Sequence, residues 1–158
     1  MIRLAQPWAS YYDDSPMLQT VTRFAHLGGV LFGGGLAIAS DAATLRAARK
    51  HEKKAHLRHL ARVHRSVLVG LGITFLSGVL MAAADLETLG RSWVFWTKMG
   101  LIVLLLANGA VIERTESALN FDGSRFGERW TRLQAAATAS LVLWFAVVFT
   151  GTLLLTTP

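Results

Sequence analysis

The sequence predicts an all-α protein, an integral membrane four-helix bundle, on three observations. Of its 158 residues 53% are hydrophobic and only 16% charged, which is too apolar for an ordinary soluble domain. The apolar residues gather into four long runs, each near the roughly 20 residues that cross a bilayer core. The cations gather as well: residues 45–66 hold Arg46, Arg49, Lys50, Lys53, Lys54, Arg58, Arg62 and Arg65, half of all the Lys and Arg.

The chain opens with "MIRLAQPWASYYDDSP", which has no apolar core and therefore does not read as a cleavable signal peptide. Pro16 stands where a helix start tolerates proline. The first span covers 18–41, apolar or small apart from Arg23 and His26. A basic loop, 42–61, leads to the second span at 62–84, which carries no charge after Arg65. The third span, 93–112, contains Lys98, and the fourth, 133–156, is uncharged after Arg132 and is followed by Pro158. Backbone polar groups must be satisfied internally in lipid, so each run is expected to be a helix. Short connections make neighbouring helices antiparallel, and the whole is one four-span domain.

The cations set the orientation. By the positive-inside rule the 42–61 loop is cytoplasmic, both termini are periplasmic, and the location is a bacterial-type inner membrane crossed several times. Anionic lipid is the natural partner of that loop. No recognition motif accompanies the basic segment, so no nucleic-acid partner is expected. The chain has no cysteine, which excludes disulfides, thiolate metal sites and iron–sulfur clusters. An export-dependent reporter fused after Pro158 is expected to be active, and activity confined to a cytoplasmic reporter at that site would reverse the orientation.

"FAHLGG" at 24–29 and "WTKMGL" at 96–101 share a frame of aromatic, basic residue, large apolar residue and glycine, 72 positions apart. Asp41 corresponds to Glu113 at the same spacing, and "FLSGVL" at 75–80 corresponds to "VFTGTL" at 148–153. These matches read as two parallel helix-pair repeats about an axis along the membrane normal. By helical rise, His26 and Lys98 both lie roughly 10 Å inside the outer end of their spans. Ser77 and Thr150 fall at similar height, with Met81 and Met99 close by. Gly28 and Gly100 are among the small residues that let helices or a flat ligand approach. Ionisable residues inside spans are costly and are functional candidates by default. His26, Lys98, Ser77, Thr150, Met81, Met99, Gly28 and Gly100 are therefore the expected cofactor-binding layer, with His26 as the metal ligand.

A second cluster is expected at the inner boundary, where Asp41 and Glu113 need partners and His64, Arg65 and Arg114 are nearest by depth. The remaining histidines, His51, His56 and His59, sit among cations, and a solvated basic helix extension accounts for them better than a zinc site.

The stretches "FAHLGGVLFGGGLAIASDAATLRAAR", "HRSVLVGLGITFLSGVLMAA" and "GRSWVFWTKMGLIVLLLANGAVIER" resemble the copper-resistance-D type of membrane domain. They are also similar to the four-helix HemJ-type protoporphyrinogen oxidases. The matching points are a first-helix histidine before a glycine-rich stretch, a Ser-Gly late in helix two, and a turn leading to a lysine in helix three. The resemblance implies haem b associated with His26 and Lys98, or copper handling by the membrane domain. Where the HemJ-type first helix continues with Trp and a Tyr-x-x-Arg segment, this chain has "VLFGGGLAIASD". Three functions follow as expectations: a haem-b protein serving electron transfer or a redox complex, a non-catalytic subunit of a larger membrane complex or homo-oligomer, and a copper-handling protein using His26, Met81 and Met99.

Overall fold

The structure is a computed structural model that describes residues 2–47, 50–121 and 126–156. Among these residues it is helical almost throughout, with no strand. Helix α1 is Ile2–Asp13. The first span then runs as one rod: α2 (Pro16–Gly29), a π-helical turn (Val30–Gly34) and α3 (Gly35–Arg46). Helix α4 (Lys50–Ala84) holds the second span, α5 (Leu86–Arg91) is a short linker helix, and α6 (Trp93–Phe121) and α7 (Phe126–Thr156) hold the third and fourth. Four helical segments are long and apolar enough to cross a membrane: Pro16–Arg46, Val63–Ala84, Trp93–Leu119 and Phe126–Leu154. The chain is thus an all-α, four-helix protein of the multi-pass membrane class.

The start of the first span is as the sequence implies. Ser15 accepts a hydrogen bond from the Leu18 amide at 3.4 Å and Pro16 takes the first helical position, where its missing N–H costs nothing. Elsewhere the helices outrun the apolar runs. The first span continues to Arg46 and α4 begins at Lys50, so most of the expected 42–61 loop is helix. Likewise α6 extends to Phe121 and α7 starts at Phe126. Hydropathy locates lipid, whereas Ala, Glu, Arg and Leu go on favouring helix after the lipid ends. The side chains of His51, His56 and His59, and Pro158, lie outside the described residues.

Helix α1 and the linker helix α5 sit at the same end of the bundle. The Trp8 indole donates to the Leu80 carbonyl at 3.0 Å and Tyr12 is buried, so α1 is tied across the end of the first helix pair. Tyr11, Trp93 and Trp96 are exposed there, an aromatic set of the kind that lines a membrane–water interface. The opposite end has a small apolar core of Leu119, Trp130 and Leu133, with Phe126 stacked on Trp130 at 6.1 Å.

Three close packings order the spans. The first span lies against α4 through Gly29 and Gly33, which face Gly70. A methyl group at Gly70 would stand 2.6 Å from the Gly33 Cα, so the two backbones touch. This is small-residue packing of membrane helices, in which glycine lets van der Waals contact replace the missing hydrophobic drive. Gly34, next in the π turn, faces the other way onto the Trp144 ring of α7. From there α3 runs along α7, and α7 packs along α6. The fourth span buries the largest share of its residues within the protein, and the third the smallest.

Contact between α4 and α6 is sparse, and α2 packs on α1, α4 and the π turn rather than on α6 or α7. The two helix pairs are joined mainly by α3 and α7, in the half near the basic segment. In the other half, where α1 lies, they stand apart. The likeness of the repeats therefore holds within each pair but not between pairs, because the contact of first span with fourth has no equal between second and third.

Candidate functional site

His26 and Lys98 occupy the half where the pairs stand apart, and each belongs to the first helix of its pair and packs its side chain against the second. The His26 ring packs against Gly78, where an added methyl would be 3.1 Å from its Cε1. The Lys98 chain packs against Gly151 in the same manner, 3.3 Å from Nζ. The 73-residue offset between the Ser-Gly and Thr-Gly pairs therefore corresponds to one local construction made twice: a basic side chain over a glycine that follows a buried hydroxyl. Both basic side chains are half-buried, and the charge of Lys98 acts on His26 across the gap between the pairs.

The hydrogen bonds of His26 determine its tautomer. Nδ1 is 2.9 Å from the Thr74 carbonyl oxygen, which can only accept, so Nδ1 carries the proton and donates. Ser77 Oγ lies at 3.3 Å from the same nitrogen. The other ring nitrogen, Nε2, is left as an acceptor with no protein partner among the described residues. A histidine held by an Nδ1–H···O=C bond with its Nε2 free is how proteins present imidazole to a metal. The Lys98 ammonium has no hydrogen bond or ion pair among the described residues, so it offers an uncompensated positive charge whose field reaches His26.

The other members of the expected layer divide. Ser77 and Thr150 are buried, but each donates its hydroxyl to the preceding turn of its own helix: Ser77 to Ile73 at 2.7 Å, Thr150 to Ala146 at 2.8 Å. They shape the seat for the basic groups. Met81 and Met99 are half-buried near the same height. Gly28 and Gly100 have open space where a side chain would be, so neither makes a close approach within the chain. Close packing falls to Gly29, one position on, and the signal that separates it from Gly28 is its four-residue spacing from Gly33.

At the other end the expected charge cluster is only partly assembled. His64 Nε2 is 3.7 Å from Glu113 Oε2, which joins α4 to α6. Arg65 and Arg114 are exposed and form no ion pair among the described residues. The acid that is buried with Asp41 is Glu116, one turn beyond the repeat-matched Glu113 and exposed by only 8%. Three positions along a helix turn a side chain by roughly 60° from eclipse, which carries Glu116 from the α4 side toward the interior. Among the described residues no group of three or more His, Asp or Glu side chains is gathered as a metal site.

Fold and geometry together define the class: a multi-pass membrane protein of four spanning helices, with a basic pair between helix pairs at one end and a buried acidic pair at the other. Comparison with family models, with curated proteins and with solved structures finds no match to this chain.

Proposed function

We propose that this chain is a haem-b protein of a bacterial-type inner membrane, serving electron transfer or a membrane redox complex. The observation that carries the reading is the Nδ1 hydrogen bond of His26 to the Thr74 carbonyl, which leaves Nε2 free, so that His26 would be the residue to hold the iron. Lys98 would pair with a haem propionate or serve as a second ligand, since its charge acts on His26 and is uncompensated among the described residues. Haem b bound there would supply one-electron chemistry tuned by its axial ligands and by the polarity of the pocket. The chain's own work is to orient the imidazole, to seat the two basic side chains over Gly78 and Gly151, and to place one positive charge at the site. The resemblance of about 22–114 to HemJ-type proteins implies the same assignment, whereas that to copper-resistance-D domains implies copper handling. In this reading both termini are periplasmic, and the cation-rich segment meets anionic lipid at the cytoplasmic face.

The test is the visible spectrum of the purified protein before and after dithionite. A Soret band that sharpens into α and β bands on reduction is expected. A colourless protein with stoichiometric copper would replace this reading by copper handling, and a colourless metal-free protein that co-purifies with others would make it a structural subunit. Lys98→Met is expected to retain the pigment but lower its potential by on the order of tens of millivolts, because a nearby cation favours the electron-rich state. An unchanged potential in redox titration would remove Lys98 from the site.

A further inference from the structure

We propose that Asp41 and Glu116 are a proton-binding carboxyl pair that holds one proton between first span, third span and α7. The inference is independent of the haem reading: Asp41 lies 15 residues beyond His26 and Glu116 lies 18 beyond Lys98. By helical rise that is roughly 22–27 Å along the bundle.

Asp41 is 7% exposed and Glu116 8%, and they are the two buried acids among the described residues. They come from different helices, and the charge of Asp41 acts on Glu116. Ser140 of α7, itself buried, lies beside the Asp41 carboxyl, while Asp41 Oδ2 is buried without a hydrogen-bond partner. A carboxylate only accepts hydrogen bonds, so an orphaned oxygen in this place lacks a donor.

Among the described residues no cation facing the pair supplies one. On α6 the nearest charge is another acid, Glu113, whose partner is His64 of α4. Arg46 at the end of the first span, Arg65 on α4, Arg114 on α6 and Arg132 on α7 are exposed. Arg129 of α7 directs its guanidinium to the Ala118 carbonyl at 2.8 Å. Two neighbouring carboxylates withdrawn from water with no cation cannot both stay ionised cheaply. One proton removes one of the two charges and turns an acceptor-only carboxyl into a donor, which meets the need of Oδ2. A bound metal ion is the weaker answer, because the described residues gather no third acidic or histidine ligand there. A carboxyl pair of this kind near a membrane boundary takes up and releases a proton between helices that join the two halves of the bundle.

Infrared spectroscopy of the intact protein in vesicles, in water and in deuterium oxide, tests it. The wild type is expected to show the C=O stretch of a protonated carboxylic acid at neutral pH, shifted in deuterium oxide. The double variant Asp41→Asn, Glu116→Gln is expected to lose it, and Glu113→Gln to keep it. Absence of the band in the wild type, or its survival in the double variant, overturns the proposal. Peptide mapping after dicyclohexylcarbodiimide treatment of the wild type, which needs no variant to fold, is expected to place the adduct on Asp41 or Glu116. Lack of an adduct on both, or its prevention by sodium ion, also overturns it, the latter in favour of a metal-cation site.

Discussion

His26→Ala is expected to abolish the bound pigment while leaving a helical, monodisperse protein. An imidazole ligand has no substitute at this position, because the next side chains in the layer, Ser77 and Thr150, spend their hydroxyls on their own helices. The fold has little to lose. His26 is half-buried, its ring lies over Gly78, and the close packing of first span on α4 comes from Gly29 and Gly33 further along. The losses are one Nδ1 bond and the ring contact, about 1 kcal/mol for the former. Ser77→Ala separates ligation from orientation. It removes only the 3.3 Å neighbour of Nδ1 and leaves the 2.9 Å bond to Thr74, so it is expected to retain the pigment with a modest spectral shift. Pyridine haemochrome content per protein checks both variants. A normal complement in His26→Ala would end the proposed ligation.

Gly70→Leu is expected to separate the first helix pair, with the largest stability loss of any single glycine change. The obstacle is backbone rather than side chain: the added Cβ would meet Gly33 Cα at 2.6 Å and Gly33 N at 2.7 Å, and no rotamer relieves that. Overpacking at ordinary core positions costs about 1–3 kcal/mol, and here the helices themselves must move apart. Because the Gly29 carbonyl is also near, at 3.1 Å, the displacement extends a full turn along the first span, toward the Thr74–His26 bond. The variant is therefore expected to lower the thermal midpoint in detergent and to weaken whatever His26 binds. Gly72→Leu, on the same helix two residues on with open space beside it, is the control and is expected to change neither. Equal midpoints for the two variants would show that the glycine contact does not hold the pair together.

Much of this protein is legible in composition and spacing. Four runs of membrane-crossing length, a proline at a helix start and one dense group of cations define an all-α, four-span chain without reference to any contact. The match of "FLSGVL" with "VFTGTL" and of His26 with Lys98 reflects two local constructions that the structure builds alike, each a basic side chain on a glycine of its partner helix. A sequence records such features because they depend on which residues share a helix and at what height.

What depends on rotation about a helix axis, and on which helices meet, came from the tertiary structure. Gly28 and Gly29 are indistinguishable as letters, yet one has open space and the other meets the Thr74 hydroxyl, since adjacent residues differ by roughly 100° around a helix. The roughly 60° between positions three apart likewise makes Glu116, not Glu113, the buried companion of Asp41. Helix α1 (Ile2–Asp13) leaves no signal in hydropathy because its anchoring contacts are carried by Trp8 and Tyr12, too few residues to register as a run. Only the assembled bundle decides that first span joins fourth while second and third barely touch. Hydropathy states that a helix lies in lipid, but in lipid every apolar face is equally comfortable. The choice of neighbours falls to close backbone approach, a Trp ring on Gly34 and a few buried polar groups.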